Sequence, residues 1–151
     1  GELPGDLILD FLQPDAASLG TATLLEGQYE GLNLELRRDL ALDGHTVDLQ
    51  GTATRGAEAI TWTALVDVDE GTRMIGAPFE LFVAKTTTAT IHVQAQTKDP
   101  FESDTLYDDL DFGAYDTDVD GQVDIRPGTP EHNILRREVQ VHDQYFAIGK
   151  N

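Results

Sequence analysis

The chain has 151 residues, with 28 Asp and Glu against 10 Lys and Arg, a formal charge of −18, one Trp, one Met and no Cys. That length suits a single domain, and the lack of Cys excludes a disulfide scaffold, a thiolate metal site and a thiol nucleophile. No apolar run approaches the roughly 18 residues of a membrane helix, and the carboxylate surplus repels nucleic-acid phosphates and anionic lipid while favouring cations and basic partners.

The first residues are Gly-Glu-Leu-Pro rather than Met, which points to a mature or trimmed chain. Acidity of this degree suits a disordered chain or one adapted to high salt, but 40% of the residues are hydrophobic and they are patterned, as in a folded domain. Asp6–Leu12 and Leu19–Leu25 are the first expected strands. Leu32, Leu34 and Leu36 then alternate with Asn33, Glu35 and Arg37, as do Val47, Leu49, Gly51 and Ala53 with Asp48, Gln50, Thr52 and Thr54. A period of two marks half-buried strands. Ile60, Trp62, Ala64, Val66 and Val68 repeat the pattern, and Arg55-Gly56-Ala57-Glu58 predicts a tight hairpin before them. Phe79, Leu81 and Val83 follow Pro78, and Ala89, Ile91, Val93 and Ala95 alternate with Thr88, Thr90, His92, Gln94 and Gln96. These runs amount to about seven strands before residue 98. Closely spaced strands, with no room for crossover helices between them, predict a mainly β fold: an antiparallel β-sandwich of seven to eight strands.

Beyond Lys98 the character changes. Asp99-Pro100-Phe101-Glu102 is a helix start, and Leu106, Tyr107 and Leu110 share a face, predicting a short acidic helix to about Asp111. Thr129-Pro130-Glu131 is a second start, and Ile134, Leu135, Val139 and Phe146 predict a C-terminal helix over 130–147. Val139-Gln140-Val141-His142 also alternates, so a strand competes there. The single domain is thus expected to hold sandwich strands over 1–98, an acidic helix and loop over 99–128, and a helix in 129–151.

Ten acidic residues and no basic one lie between Asp99 and Asp124, and within them stands Asp116-Thr117-Asp118-Val119-Asp120-Gly121-Gln122-Val123-Asp124. Calcium takes six to eight oxygens, and carboxylates at positions one, three and five of a loop wrap it from one side. Glycine at position six permits the sharp turn, and position seven offers a backbone carbonyl. The expected ligands are therefore Asp116, Asp118, Asp120, the Gln122 carbonyl and Asp124, with Ca2+ favoured over Mg2+ because such a flexible loop does not impose an octahedron. Three such aspartates repel one another unless a cation lies among them, whereas an ordinary acidic run is simply solvated.

The spacing resembles the calcium loops of EF-hands and dockerins, and more closely the D-x-D-x-D-G-x-x-D loops of integrin-type β-propeller repeats. The resemblance covers about nine residues. Pro127 stands where an EF-hand has its bidentate Glu, which argues against a helix-loop-helix sensor and for a single structural site. Asp108, Asp109 and Asp111 are the nearest carboxylates able to replace that ligand.

His45, His92, His132 and His142 raise a copper or zinc alternative, but His132 and His142 are ten residues apart and form no i, i+4 pair, and no H-E-x-x-H is present. No nucleophile elbow, P-loop or dinucleotide fingerprint occurs either. Paired carboxylates for glycan hydrolysis are a third possibility without a spacing to support it. Trp62 lies with Ile60 and Val66 on an apolar face and is expected in the core, with Tyr107 and Tyr115 packing the acidic segment down. In general look the chain is similar to secreted bacterial lipoproteins and cell-surface β-domains of unassigned function. That resemblance implies an extracellular, cell-surface or periplasmic address and a non-catalytic role in binding a protein or glycan.

Overall fold

The computed structural model describes residues 8, 21–86, 88, 90–95, 97–98, 104–140 and 145–150. They form a mixed α/β fold with more strand than helix. The strands are β1 (Gly27–Glu35), β2 (Val47–Arg55), β3 (Glu58–Val66), β4 (Arg73–Val83), β5 (Thr90–Ala95), β6 (Gln122–Ile125) and β7 (Tyr145–Lys150). Two short helices, α1 (Phe112–Tyr115) and α2 (Pro130–Val139), lie on either side of β6 in the chain.

Antiparallel pairing joins β1 to β4, β2 to β3 and β5 to β7. The β2–β3 hairpin runs in unbroken register from Val47 opposite Val66 to Arg55 opposite Glu58, and Gly56, at φ 63°, makes the tight turn. The expectation of antiparallel strands throughout needs one correction, because β6 pairs with β3 in parallel, from Thr61 opposite Gln122 to Ala64 opposite Ile125. A parallel neighbour requires a long connection, and here β4, β5 and α1 all intervene between the two strands.

The larger core lies along β3. Ile60, Trp62, Ala64, Val66 and Val68 point to one side and are buried with Val123 and Ile125 of β6, Leu135 and Val139 of α2, and Leu106, Leu110 and Phe112. A smaller cluster around Leu81 and Val83 includes Leu24, Tyr29, Leu32 and Ile91.

The acidic helix expected up to Asp111 differs from what is found. Its first residues, Asp99–Ser103, lie outside the described residues, as does nearly all of the expected strand at 6–12. Of Leu19–Leu25, the described residues 21–25 are not in a strand. Over 106–109 the chain makes turns, because the Asp108 carboxylate accepts from both the hydroxyl and the N–H of Thr105. Leu106 and Leu110 are buried all the same, and the helix starts later, with Asp111 as N-cap accepting from Ala114 N–H. α2 begins where expected, with Thr129 capping His132 N–H and Pro130 at the first position, but ends at Val139 rather than near 147. Arg136 and Arg137 complement the dipole in its last turn, and Tyr145–Lys150, with Phe146, pair with β5 as a strand.

Candidate metal centre

The 116–121 loop is held at both ends by packed elements. At its start, Phe112 stacks on Trp62 with ring centroids 5.0 Å apart, and Tyr115 meets Phe112 edge-on at 6.4 Å. Trp62 also contacts Tyr107 at 5.3 Å, so one buried indole anchors the aromatic residues of the acidic segment. At its end, Gly121 C=O accepts from Thr61 N–H at 2.9 Å, and Val123 and Ile125 descend into the core.

Between these anchors the chain folds around Asp116, whose side chain is fully buried. Its Oδ1 accepts from Asp120 N–H at 3.0 Å and its Oδ2 from Gly121 N–H at 3.3 Å. Asp120 Oδ1 in turn accepts from Gln122 N–H at 2.8 Å. The turn requires left-handed backbone at Val119, φ 60°, and at Gly121, φ 79°. Glycine adopts this conformation freely, whereas a β-branched residue is strained there.

This path brings Asp116, Asp118 and Asp120 together, each with a carboxylate oxygen within 4.8 Å of the others. Oxygens on opposite sides of one calcium ion, with ligand distances of about 2.3–2.6 Å, span a similar gap. The group combines one buried carboxylate with two exposed ones, a fixed base with a solvent-facing rim. Three aspartates so placed can chelate a divalent cation.

The other two expected ligands lie on β6. Gln122, expected to bind through its backbone carbonyl, is its first residue. Asp124 lies on β6 as well, but its carboxylate accepts from Thr63 Oγ1 at 2.8 Å and Arg126 Nε at 2.7 Å, outside the cluster. Partial burial disfavours its charge, but the Arg126 guanidinium and the Thr63 hydroxyl outweigh this and lower its pKa. Asp111 caps α1, and Asp108 is held by the Thr105 hydroxyl and N–H, which lower its pKa. Both have work elsewhere.

Sequence spacing did not reveal the role of the β2–β3 hairpin. Arg55 Nη2 lies 3.2 Å from Asp116 Oδ2 and 3.0 Å from Glu58 Oε2, and its Nη1 is 3.4 Å from Gly113 C=O. The hydrogen bond to Glu58 does most to raise the Arg55 pKa; burial opposes it, and the Asp116 carboxylate adds to the rise. A groove bounded by Arg55, Glu58, Ala59, Val119, Asp120 and Gly121 opens beside the loop. Its only sequence signal is that Arg55 and Glu58 bracket a hairpin turn.

The described histidines have other partners. His45 Nδ1 donates to Asp67 Oδ1 at 2.7 Å, and His132 Nε2 accepts from Asp67 N–H at 3.0 Å. His92 lies on β5 opposite Ile148, and His142 falls outside the described residues. Among the described residues the three aspartates are the one group of three or more His, Cys, Asp or Glu side chains gathered closely enough to share an ion. No described helix is long and apolar enough to cross a membrane. Comparison of the chain with protein-family models, with curated proteins and with solved structures gives no match.

Proposed function

We propose that the 116–121 loop is a calcium site and that the domain is a calcium-stabilised, non-catalytic binding or assembly module. The observation that carries this reading is the convergence of Asp116, Asp118 and Asp120 around a buried carboxylate whose backbone partners are Asp120 and Gly121. Asp116, Asp118 and Asp120 would bind through side chains and Gln122 through its carbonyl, with water completing the six to eight oxygens calcium requires. Asp124, satisfied by Thr63 and Arg126, would stay out of the inner sphere.

The bound ion would tie the acidic segment to β3, since the loop ends on Thr61 and Trp62 anchors its start. In keeping with the sequence resemblance, we place the module in a secreted, cell-surface or periplasmic setting, with its sheets packed as a sandwich and a protein or glycan as its partner. Calorimetric titration of chelator-stripped protein with calcium and with magnesium tests the site. One calcium bound per chain, lost in Asp118→Asn, is expected; equal binding by the variant would remove the loop from the account.

A further inference from the structure

His132 is one of three buried polar residues in the described structure, with Thr46 and Asp116. Its surroundings bear on the segment leaving β3. Past Val66 the chain quits the sheet, and its amides require partners that strand pairing no longer supplies. Side chains provide them: Asp67 N–H donates to His132 Nε2 at 3.0 Å, and Val68 N–H donates to Thr46 Oγ1 at 3.1 Å.

The first of these bonds fixes the state of the imidazole. Nε2 can accept only without a proton, so the ring proton is on Nδ1, which is buried with no hydrogen-bond partner. A proton added at Nε2 would set donor against donor at Asp67 and bury a cation. The charged groups around it are the Asp67 carboxylate, His45 and Arg38 on that carboxylate at 2.7 and 3.5 Å, and, one turn along α2, Arg136, whose Nη1 is 3.7 Å from Asp69. Arg136 Nε is itself buried with no hydrogen-bond partner.

We infer that His132 is an acid-operated latch: its neutral ring docks α2 onto the Asp67–Val68 segment, and protonation at Nε2 releases the N-terminal turn of the helix from it. Three parts of the chain meet there, the approach to β2 through His45 and Thr46, the exit of β3 through Asp67 and Val68, and α2 through His132. Burial first, then Arg136 and His45, depress the His132 pKa, and the Asp67 carboxylate and the Asn133 side chain oppose them incompletely. Docking is therefore complete above the ordinary imidazole value of about 6.5 and weakens as pH falls below it, by at most about tenfold per unit for one proton.

Amide hydrogen exchange of the full chain by NMR, at about pH 7.5 and about pH 5 and corrected for intrinsic exchange, tests the latch within the range where histidines titrate. The Asp67 amide is expected to lose protection by roughly tenfold or more at the lower pH. His132→Gln, which offers Oε1 in place of Nε2 and does not titrate, should keep that amide equally protected at both values. Should that variant not fold, the wild-type ring resonances decide alone: His132 must titrate below the ordinary value and in step with the Asp67 amide. Unchanged protection in the wild type, an undiminished loss in His132→Gln, or a loss abolished by His45→Gln would each overturn the inference.

Discussion

The Arg55 guanidinium stands 3.2 Å from the buried Oδ2 of Asp116, so the carboxylate at the base of the aspartate loop already has a cation of the protein's own beside it. Arg55 joins the β2–β3 hairpin to the loop and shares its charge with Glu58. A metal ion bound to Asp116 would meet this guanidinium as a like charge, and the two compete for one carboxylate.

Arg55→Gln should therefore bind calcium more tightly, by roughly thirtyfold, the scale of removing a unit charge about 4 Å from a divalent ion in a water-like dielectric. Calorimetric titration beside the wild type checks this. Weaker binding would assign Arg55 the opposite role, that of holding Asp116 in position for the ion.

Asp118→Asn and Asp124→Asn separate the cluster from its neighbour on β6. The first removes a charge from the three converging carboxylates, while the second touches a group engaged with Thr63 and Arg126. Calcium affinity should collapse in Asp118→Asn and stay within about twofold in Asp124→Asn, since ligand charge count tunes such sites. A large loss in Asp124→Asn would return it to the inner sphere.

Gly51 lies opposite Trp62, and a Cβ there would come within 2.6 Å of the indole Cζ2. The indole is packed between Phe112 and Tyr107 and has little freedom to withdraw. Gly51→Ala should cost about 1–3 kcal/mol of stability, the range for overpacking a core, as measured by urea unfolding. It should also weaken the calcium site, because Phe112 carries the start of the loop.

Val119 holds φ 60° at the exposed tip of the loop. Val119→Gly relieves a strain of about 1 kcal/mol or more, part of which returns as the entropy of an added glycine. A small gain in thermal stability without calcium is the expected outcome, read by differential scanning calorimetry.

Much of the fold was legible because β2 and β3 keep a strict period of two beside a tight turn, and burying one face of a sheet demands that alternation. Trp62 was placed in the core on the same ground. β6 escaped notice because four residues with two buried positions, Val123 and Ile125, give too short a period to stand out. β7 was hidden by helical spacing running on from α2, and a buried stripe of His132, Leu135 and Val139 was enough to complete that helix. Of the candidate site, spacing revealed Asp116, Asp118 and Asp120, whose approach is local. It could not reveal Arg55 or Glu58, which reach the loop only because β6 lies parallel to β3 and begins beside the hairpin turn. Position in the pattern points Asp124 at the ion, whereas the strand geometry turns its carboxylate toward Thr63.

The most direct test of the account is a thermal melt of chelator-stripped protein, repeated with millimolar calcium and with magnesium. A ligand bound only by the folded state adds about 2.7 kcal/mol at a hundred times its dissociation constant, which raises the Tm of a domain this size by several degrees. The account predicts a rise with calcium that exceeds the rise with magnesium and disappears in Asp118→Asn. An unchanged Tm with both ions, or an equal rise in that variant, would contradict it.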